Sequence, residues 1–135
     1  AAHAGVVLYG RIDWLYRAAD GFVVVDWKSE GLWGRAAASV AAAHAAQLVA
    51  YGWAADRALR ADGELGVVRG EVVLTEVGRP EVVPLWPAIE RVPALLEEIA
   101  ETAELGWAEL ERRATAGGAR PCASCGYRGR GCRGS

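Results

Sequence analysis

Gly10-Arg11-Ile12-Asp13-Trp14-Leu15-Tyr16-Arg17 and Phe22-Val23-Val24-Val25-Asp26-Trp27-Lys28-Ser29 are joined by Ala18-Ala19-Asp20-Gly21. The Asp-Gly pair supplies turn chemistry, so Gly5 to Arg17 is expected to fold back on Phe22 to Ser29 as an antiparallel hairpin. Pairing Arg17 with Phe22 fixes a register in which partner numbers sum to 39. Asp13 then faces Asp26, with Cβ atoms roughly 5 Å apart. Lys28 lies two residues beyond Asp26, and the period of two in a strand puts its ammonium on the same face as both acids.

Facing carboxylates repel, and each raises the pKa of the other. A divalent cation relieves that repulsion. Carboxylate oxygens suit Mg²⁺ or Mn²⁺, and Mg²⁺ is usually held by one or two protein carboxylates together with water and substrate phosphate oxygens. The chemistry this allows is phosphoryl transfer to water, with a lysine placed to position or polarise the attacking water. The hairpin alone also admits a plainer reading, a solvated acidic surface with one cross-strand ion pair.

Ala36 to Ala61, rich in alanine and interrupted only by Gly52, reads as a helix that follows a loop containing Gly31 and Gly34. Gln47 and Tyr51 are four apart and share a face, with His44 one turn earlier on the same side. Such a polar stripe either finds hydrogen-bond partners in the core or lines a site beside the hairpin.

Gly10-Arg11-Ile12-Asp13, Val24-Val25-Asp26-Trp27-Lys28-Ser29 and Gln47-Leu48-Val49-Ala50-Tyr51, in that order, resemble the core of the PD-(D/E)xK nuclease superfamily. The likeness is to RecB-type nuclease domains of bacterial helicase-nucleases. In these a Gly-x-Ile-Asp strand, a strand ending in Asp-aromatic-Lys-Ser/Thr and a helix with Gln-x-x-x-Tyr recur together. The resemblance implies Mg²⁺ or Mn²⁺ held by Asp13, Asp26 and the Trp27 carbonyl, a catalytic Lys28, and Gln47 and Tyr51 supporting the site and contacting DNA. It also implies single-stranded DNA as substrate, a helicase domain or subunit as partner, and a cytoplasmic setting in double-strand break repair. The family places a metal-binding histidine on a helix before the Gly-x-Ile-Asp strand. His3, ten residues before Asp13 and about 33 Å from it in a fully extended chain, reads instead as an exposed N-terminal residue. The chain is therefore expected to be the C-terminal part of a nuclease domain. The alternatives are a non-cleaving DNA-binding or scaffolding module of the same fold, and a CRISPR-adaptation-type iron-sulfur exonuclease.

Cys122, Cys125 and Cys132 are the only cysteines and crowd into the Gly-rich end of the chain. Thiolates at Cys-x-x-Cys spacing converge on one metal, as in zinc and iron-sulfur sites, but three ligands leave either site one short. Some RecB-like nucleases hold a 4Fe-4S cluster with three C-terminal cysteines and one upstream, and this resemblance implies a fourth ligand outside the chain. Bound zinc and free thiols remain open alternatives. An odd cysteine count argues against a disulfide framework.

The 135 residues suffice for one domain with a modest core, and contain no apolar run long enough to span a bilayer. The net charge of −2 hides an asymmetry, for six arginines and no acid follow Glu111. Arg128 and Arg130 are the expected phosphate contacts there, unless the arginines form a solvated tail. Val67 to Val77 and Glu81 to Trp86 read as further strands separated by Arg79-Pro80. Pro87 to Ala116 reads as a helix burying Ile89, Val92, Leu95, Leu96, Ile99, Ala103, Trp107 and Leu110 along one face, with Pro93 as a restart or kink. The six tryptophans are expected mostly in the core or at contacts with the missing part of the domain, with Trp33 a candidate for base stacking. The expected fold is α/β, with a restriction-endonuclease-like core at 1–116 built on a mixed, mainly antiparallel sheet flanked by helices, and a cysteine- and arginine-rich tail at 117–135.

Overall fold

The computed structural model describes residues 1–106 and 109. The expected 116/117 boundary, Trp107, Leu110, Cys122, Cys125, Cys132, Arg128 and Arg130 lie outside them. Ala1–Glu97 form one compact unit, and Glu98 begins a second.

The first unit is a mixed α/β structure around the strand order β3-β4-β5-β6. Strand β4 (Phe22–Lys28) is central because its Val23-Val24-Val25 run is apolar on both faces, with the three at 0, 0 and 5% exposure. It pairs antiparallel with β3 (Trp14–Arg17) and parallel with β5 (Val67–Leu74), which pairs antiparallel with β6 (Pro80–Val83). The β3-β4 register runs from Trp14 opposite Val25 to Arg17 opposite Phe22, so partners sum to 39 as the turn residues predict. Gly21 closes that turn with φ +152°, and a Cβ there would stand 2.6 Å from the Gly66 carbonyl oxygen.

The parallel β4-β5 pairing requires a crossover, and two helices provide it. Helix α1 (Ala37–Ala43) and α2 (Ala45–Ala61) replace the single helix expected over 36–61. The break falls at His44, whose backbone leaves helical geometry at φ −95°, ψ 2° and whose N–H reaches back three residues to Ala41. Val40 and Ala41 from α1, with Leu48 and Trp53 from α2, bury against Val24, Val72 and Leu74. Gly52 lets α2 pass close to the segment after β6, since a Cβ at that position would lie 2.8 Å from Leu85 Cδ1.

Several boundaries differ from the sequence expectation. The first strand does not begin at Gly5. Ala2–His3 (β1) and Val6–Val7 (β2) form a separate two-stranded ribbon, whose turn holds Ala4 and Gly5 at positive φ. Strand β5 ends at Leu74, where the N–H groups of Val77 and Gly78 turn back onto the Leu74 carbonyl. Pro80, expected as a breaker, opens edge strand β6, where no neighbour needs its missing N–H. The long final helix is a 3-10 turn at Ala88–Arg91, then α3 (Val92–Ala103) restarting with Pro93 in its first turn. Ile89, Val92 and Leu96 are buried as expected, while Leu95 is 54% exposed, because only the narrow Val92/Leu96 line of the first unit meets its core; Ile99, in the second unit, is 43% exposed.

The described tryptophans divide between core and surface. Trp53 is in the core, whereas Trp14, Trp27 and Trp33 are more than half exposed and Trp86 is 39% exposed, its Nε1–H bonded to the Val67 carbonyl. Trp14 and Trp27 lie on the sheet face turned away from α1 and α2. With Tyr16, Val25 and Val73 they line a shallow cavity of about 220 Å³.

Asp56 joins the end of α2 to the start of β5. Its Oδ1 accepts the Val67 N–H at 2.8 Å and its Oδ2 the Arg60 Nε–H at 2.8 Å. Arg60 is 60% exposed, so the ion pair contributes little, and the buried N–H decides the energetics. Asp56→Ala is expected to destabilise the protein by about 1–3 kcal/mol in urea unfolding, the cost of an orphaned buried donor. Arg60→Ala is expected to cost less than about 1 kcal/mol.

Candidate active site

Parity along β4 turns Val24, Asp26 and Lys28 toward the helices, and Val23, Val25 and Trp27 away from them. Asp26 is only 2% exposed. An unpaired carboxylate there would cost several kcal/mol, and two side chains offset this. Lys28 Nζ stands 2.9 Å from Asp26 Oδ2, and Gln47 Nε2 donates to Asp26 Oδ1 at 3.3 Å. Lys28 Nζ also donates to Gln47 Oε1 at 2.9 Å, and Gln47 Nε2 contacts the Tyr51 hydroxyl at 3.0 Å. With one amide oxygen accepting from lysine and one NH₂ serving two oxygens, the Gln47 amide has a single satisfying orientation. The helix pair four residues apart is therefore joined to the strand pair two residues apart.

Tyr51 is in turn packed by the chain entering β3. A Cβ on Gly10 would lie 2.7 Å from Tyr51 Cε1, so only glycine leaves room for the ring. Asp13 behaves differently from the expectation of two acids squarely opposed on a ladder, because β3 starts one residue later, at Trp14. From just outside the sheet, Asp13 Oδ2 accepts the Trp27 N–H at 2.9 Å. This is the donor that a continued ladder would have satisfied with a main-chain carbonyl, so the carboxylate takes over the backbone's role beside Asp26.

His44 does not join the Gln47 group. Its Nε2 pairs with Glu30 Oε1, and Glu30 Oε2 accepts from Arg35 at 3.3 Å. The hydrogen bond from His44 holds the Glu30 carboxyl below its usual range against the opposing effect of desolvation, and Arg35 adds to the shift. Glu30 follows Lys28 by two residues and His44 precedes Gln47 by three, so this pair repeats the strand-to-helix link one step further along. The sequence held that spacing, but nothing in it identified Glu30 as the partner. His3 is not a free terminal residue, for its Nε2 meets Glu97 Oε1 at 2.9 Å and its ring stands edge-on to Trp53.

A sequence model of the PD-(D/E)XK nuclease superfamily matches residues 1–133. The chain belongs to that superfamily. No curated protein and no solved structure matches it at a significant level. The four-stranded mixed sheet with its crossover helices is consistent with the restriction-endonuclease-like fold of PD-(D/E)XK nucleases. Superfamily members are generally metal-dependent nucleases, which implies a DNA substrate.

The donors here suit the cation such nucleases use. Asp26 Oδ2 is buried, and although Lys28 Nζ is 2.9 Å away, it approaches outside hydrogen-bonding angles. The ammonium thus supplies charge while leaving the oxygen's lone pairs unclaimed. Among the described residues no group of three or more His, Cys, Asp or Glu side chains converges as a metal cage. Carboxylate oxygen such as Asp26 Oδ2, completed by water and phosphate, matches the habit of Mg²⁺ and not that of structural zinc.

The loop after β4 carries a further feature that sequence reading only touched on. Trp33 is 86% exposed and sits at φ +51°, a left-handed conformation costing a bulky residue about 1–2 kcal/mol. The loop around it is tied down by Leu32 N–H to Glu76 at 2.8 Å and by Arg35 Nε–H to the Leu32 carbonyl at 3.2 Å.

Gly10→Ala is expected to push Tyr51 off Gln47 and destabilise the fold by about 1–3 kcal/mol in urea, with Tyr51→Phe costing about 0.5–1.5 kcal/mol. Because the folded-state pKa of Glu30 is depressed, its contribution to stability is complete above the ordinary value of 4.5 and is lost as pH falls through the folded value. Wild type is therefore expected to be more stable than Glu30→Gln at neutral pH, with the difference closing as Glu30 becomes protonated. Equilibrium unfolding across that range measures it.

Proposed function

We propose that this chain is a Mg²⁺- or Mn²⁺-dependent deoxyribonuclease of the RecB type, acting on single strands delivered by a helicase domain or subunit. The observation that carries the reading is the closed group of Asp26, Lys28, Gln47 and Tyr51 beside Asp13, within a nuclease superfamily chain. Such a group has little purpose as a core device. A buried ion pair is often no more stabilising than apolar residues of the same volume.

In this proposal Asp13, Asp26 and the Trp27 carbonyl hold the metal. When bound, it lowers the pKa of water and offsets charge on the departing oxygen. Lys28 points its ammonium at the scissile phosphate and orients the attacking water. Gln47 keeps Lys28 on that side of the strand, and Tyr51 holds the Gln47 amide in its one useful orientation. Gln47 and Tyr51 also flank the DNA path. Cys122, Cys125 and Cys132 are not needed for this chemistry.

With Mg²⁺, wild type is expected to degrade labelled single-stranded DNA, with chelator abolishing the reaction. Asp26→Asn and Lys28→Ala are each expected to slow it by on the order of 10²-fold or more, the scale of losing one well-placed charge-stabilising group. Equal degradation by wild type and Asp26→Asn would remove Asp26 from catalysis. Folded protein without metal-dependent cleavage would favour a non-cleaving DNA-binding role.

A further inference from the structure

We infer that Trp33 is a built stacking platform for an unpaired base of a single-stranded nucleic acid, lying beside the proposed cleavage site. The inference rests on the nucleic-acid substrate of the proposed function and on a site at Lys28, and its test reads binding without cleavage.

Isolated exposed tryptophans are ordinary and need no explanation. Trp33 differs in how it is held. Its backbone sits in the left-handed region that bulky residues avoid, at φ +51°, and Gly34 follows at φ +78°. Strain of this kind persists only where surrounding contacts impose it, and three do so here. Leu32 N–H is bonded to Glu76 on one side, while Arg35 bonds the Leu32 carbonyl and Glu30 on the other. Gly31 lies beneath the indole. A Cβ there would come within 3.3 Å of Trp33 Cε2 and Nε1 and of Glu76 Oε2. The ring thus rests against a bare stretch of backbone, and the residue remains 86% exposed. A rigid, supported aromatic surface open to solvent is what a base needs for stacking, and it tolerates any base because every base has a π-face.

The location selects the ligand. Trp33 follows Lys28 by five residues. Its loop is braced by Glu30, whose other oxygen pairs with His44, three residues before Gln47. In this inference a nucleic-acid strand with a phosphate at Lys28 presents a nearby base to this loop. The loop's acids do not form an open repulsive patch, because Glu30 is paired with Arg35 and His44, and Glu76 is bonded to the Leu32 N–H.

The test is fluorescence anisotropy with labelled oligothymidylate in chelator, so that binding is read without cleavage. Trp33→Ala is expected to weaken binding about 5- to 100-fold, the range seen for loss of one base-aromatic stack. Trp33→Phe is expected to stay within about threefold of wild type, restoring a π-face without the indole. Trp14→Ala, at an exposed tryptophan on the open sheet face, is expected to bind as wild type does. An oligonucleotide with an abasic tract is expected to bind wild type and Trp33→Ala alike. Circular dichroism matching wild type establishes that the variants are folded. Wild-type affinity in Trp33→Ala, equal weakening for abasic and normal oligonucleotides, or equal weakening for duplex and single strand would each overturn the inference. Because no metal is present, failure of Asp26 and Lys28 as catalytic residues would leave this result intact.

Discussion

A carboxylate buried at the end of the central strand sets the terms for the rest of the molecule. At 2% exposure Asp26 has little contact with solvent, and its carboxylate is held by Lys28 from its own strand and Gln47 from the crossover helix. One partner is local and comes with the pleat. The other requires α2 to dock at a particular height on the sheet, and Gly70 of β5, where a Cβ would stand 3.3 Å from Leu48, leaves room for the approach. Tyr51 then fills the space left by Gly10, which ties the chain entering β3 to the same arrangement. Fold and site are in this sense one set of constraints.

Those constraints were visible in the sequence to the extent that they follow from period and turn chemistry. The Asp20-Gly21 turn gave the correct register, and the period of two correctly grouped Asp26 with Lys28. The four-residue spacing of Gln47 and Tyr51 reflects a real shared helix face. What periodicity could not supply was where each element stops. Strand β3 starts only at Trp14, and Asp13 satisfies Trp27 with a side chain, a substitution of carboxylate for carbonyl that leaves no trace in hydropathy. The helix breaks at His44 with no Pro or Gly there to announce it, and the ring at that joint is engaged by Glu30 from across the chain. Leu95 fits a helical stripe yet remains exposed, since a stripe records what could be buried and not how wide the opposing surface is.

The two faces of the sheet have different characters. One is sealed by α1 and α2 over Val24, Val72 and Leu74 and carries the charged group at its end. The other holds the small cluster of Val23, Val25 and Val73, with exposed Trp14 and Trp27 at its margin. Its polar content is a self-contained network, in which Glu71 accepts from the Tyr16 hydroxyl and from Arg69. Trp27 thus lies between two site residues in sequence and on the opposite side of the sheet in space. Its contribution to the site is its backbone, whose N–H orders Asp13.

The parallel pairing of β4 with β5 has a kinetic corollary. These strands can meet only after the 38-residue segment between Lys28 and Val67 has closed, and long loops of this kind make their contacts late in folding. Asp26 and Lys28 are two apart in the chain, but Gln47 reaches them only when the crossover is in place. A nascent or partly opened chain therefore holds its acidic and basic groups without the geometry that makes them a unit, and that unit forms only once the crossover has closed.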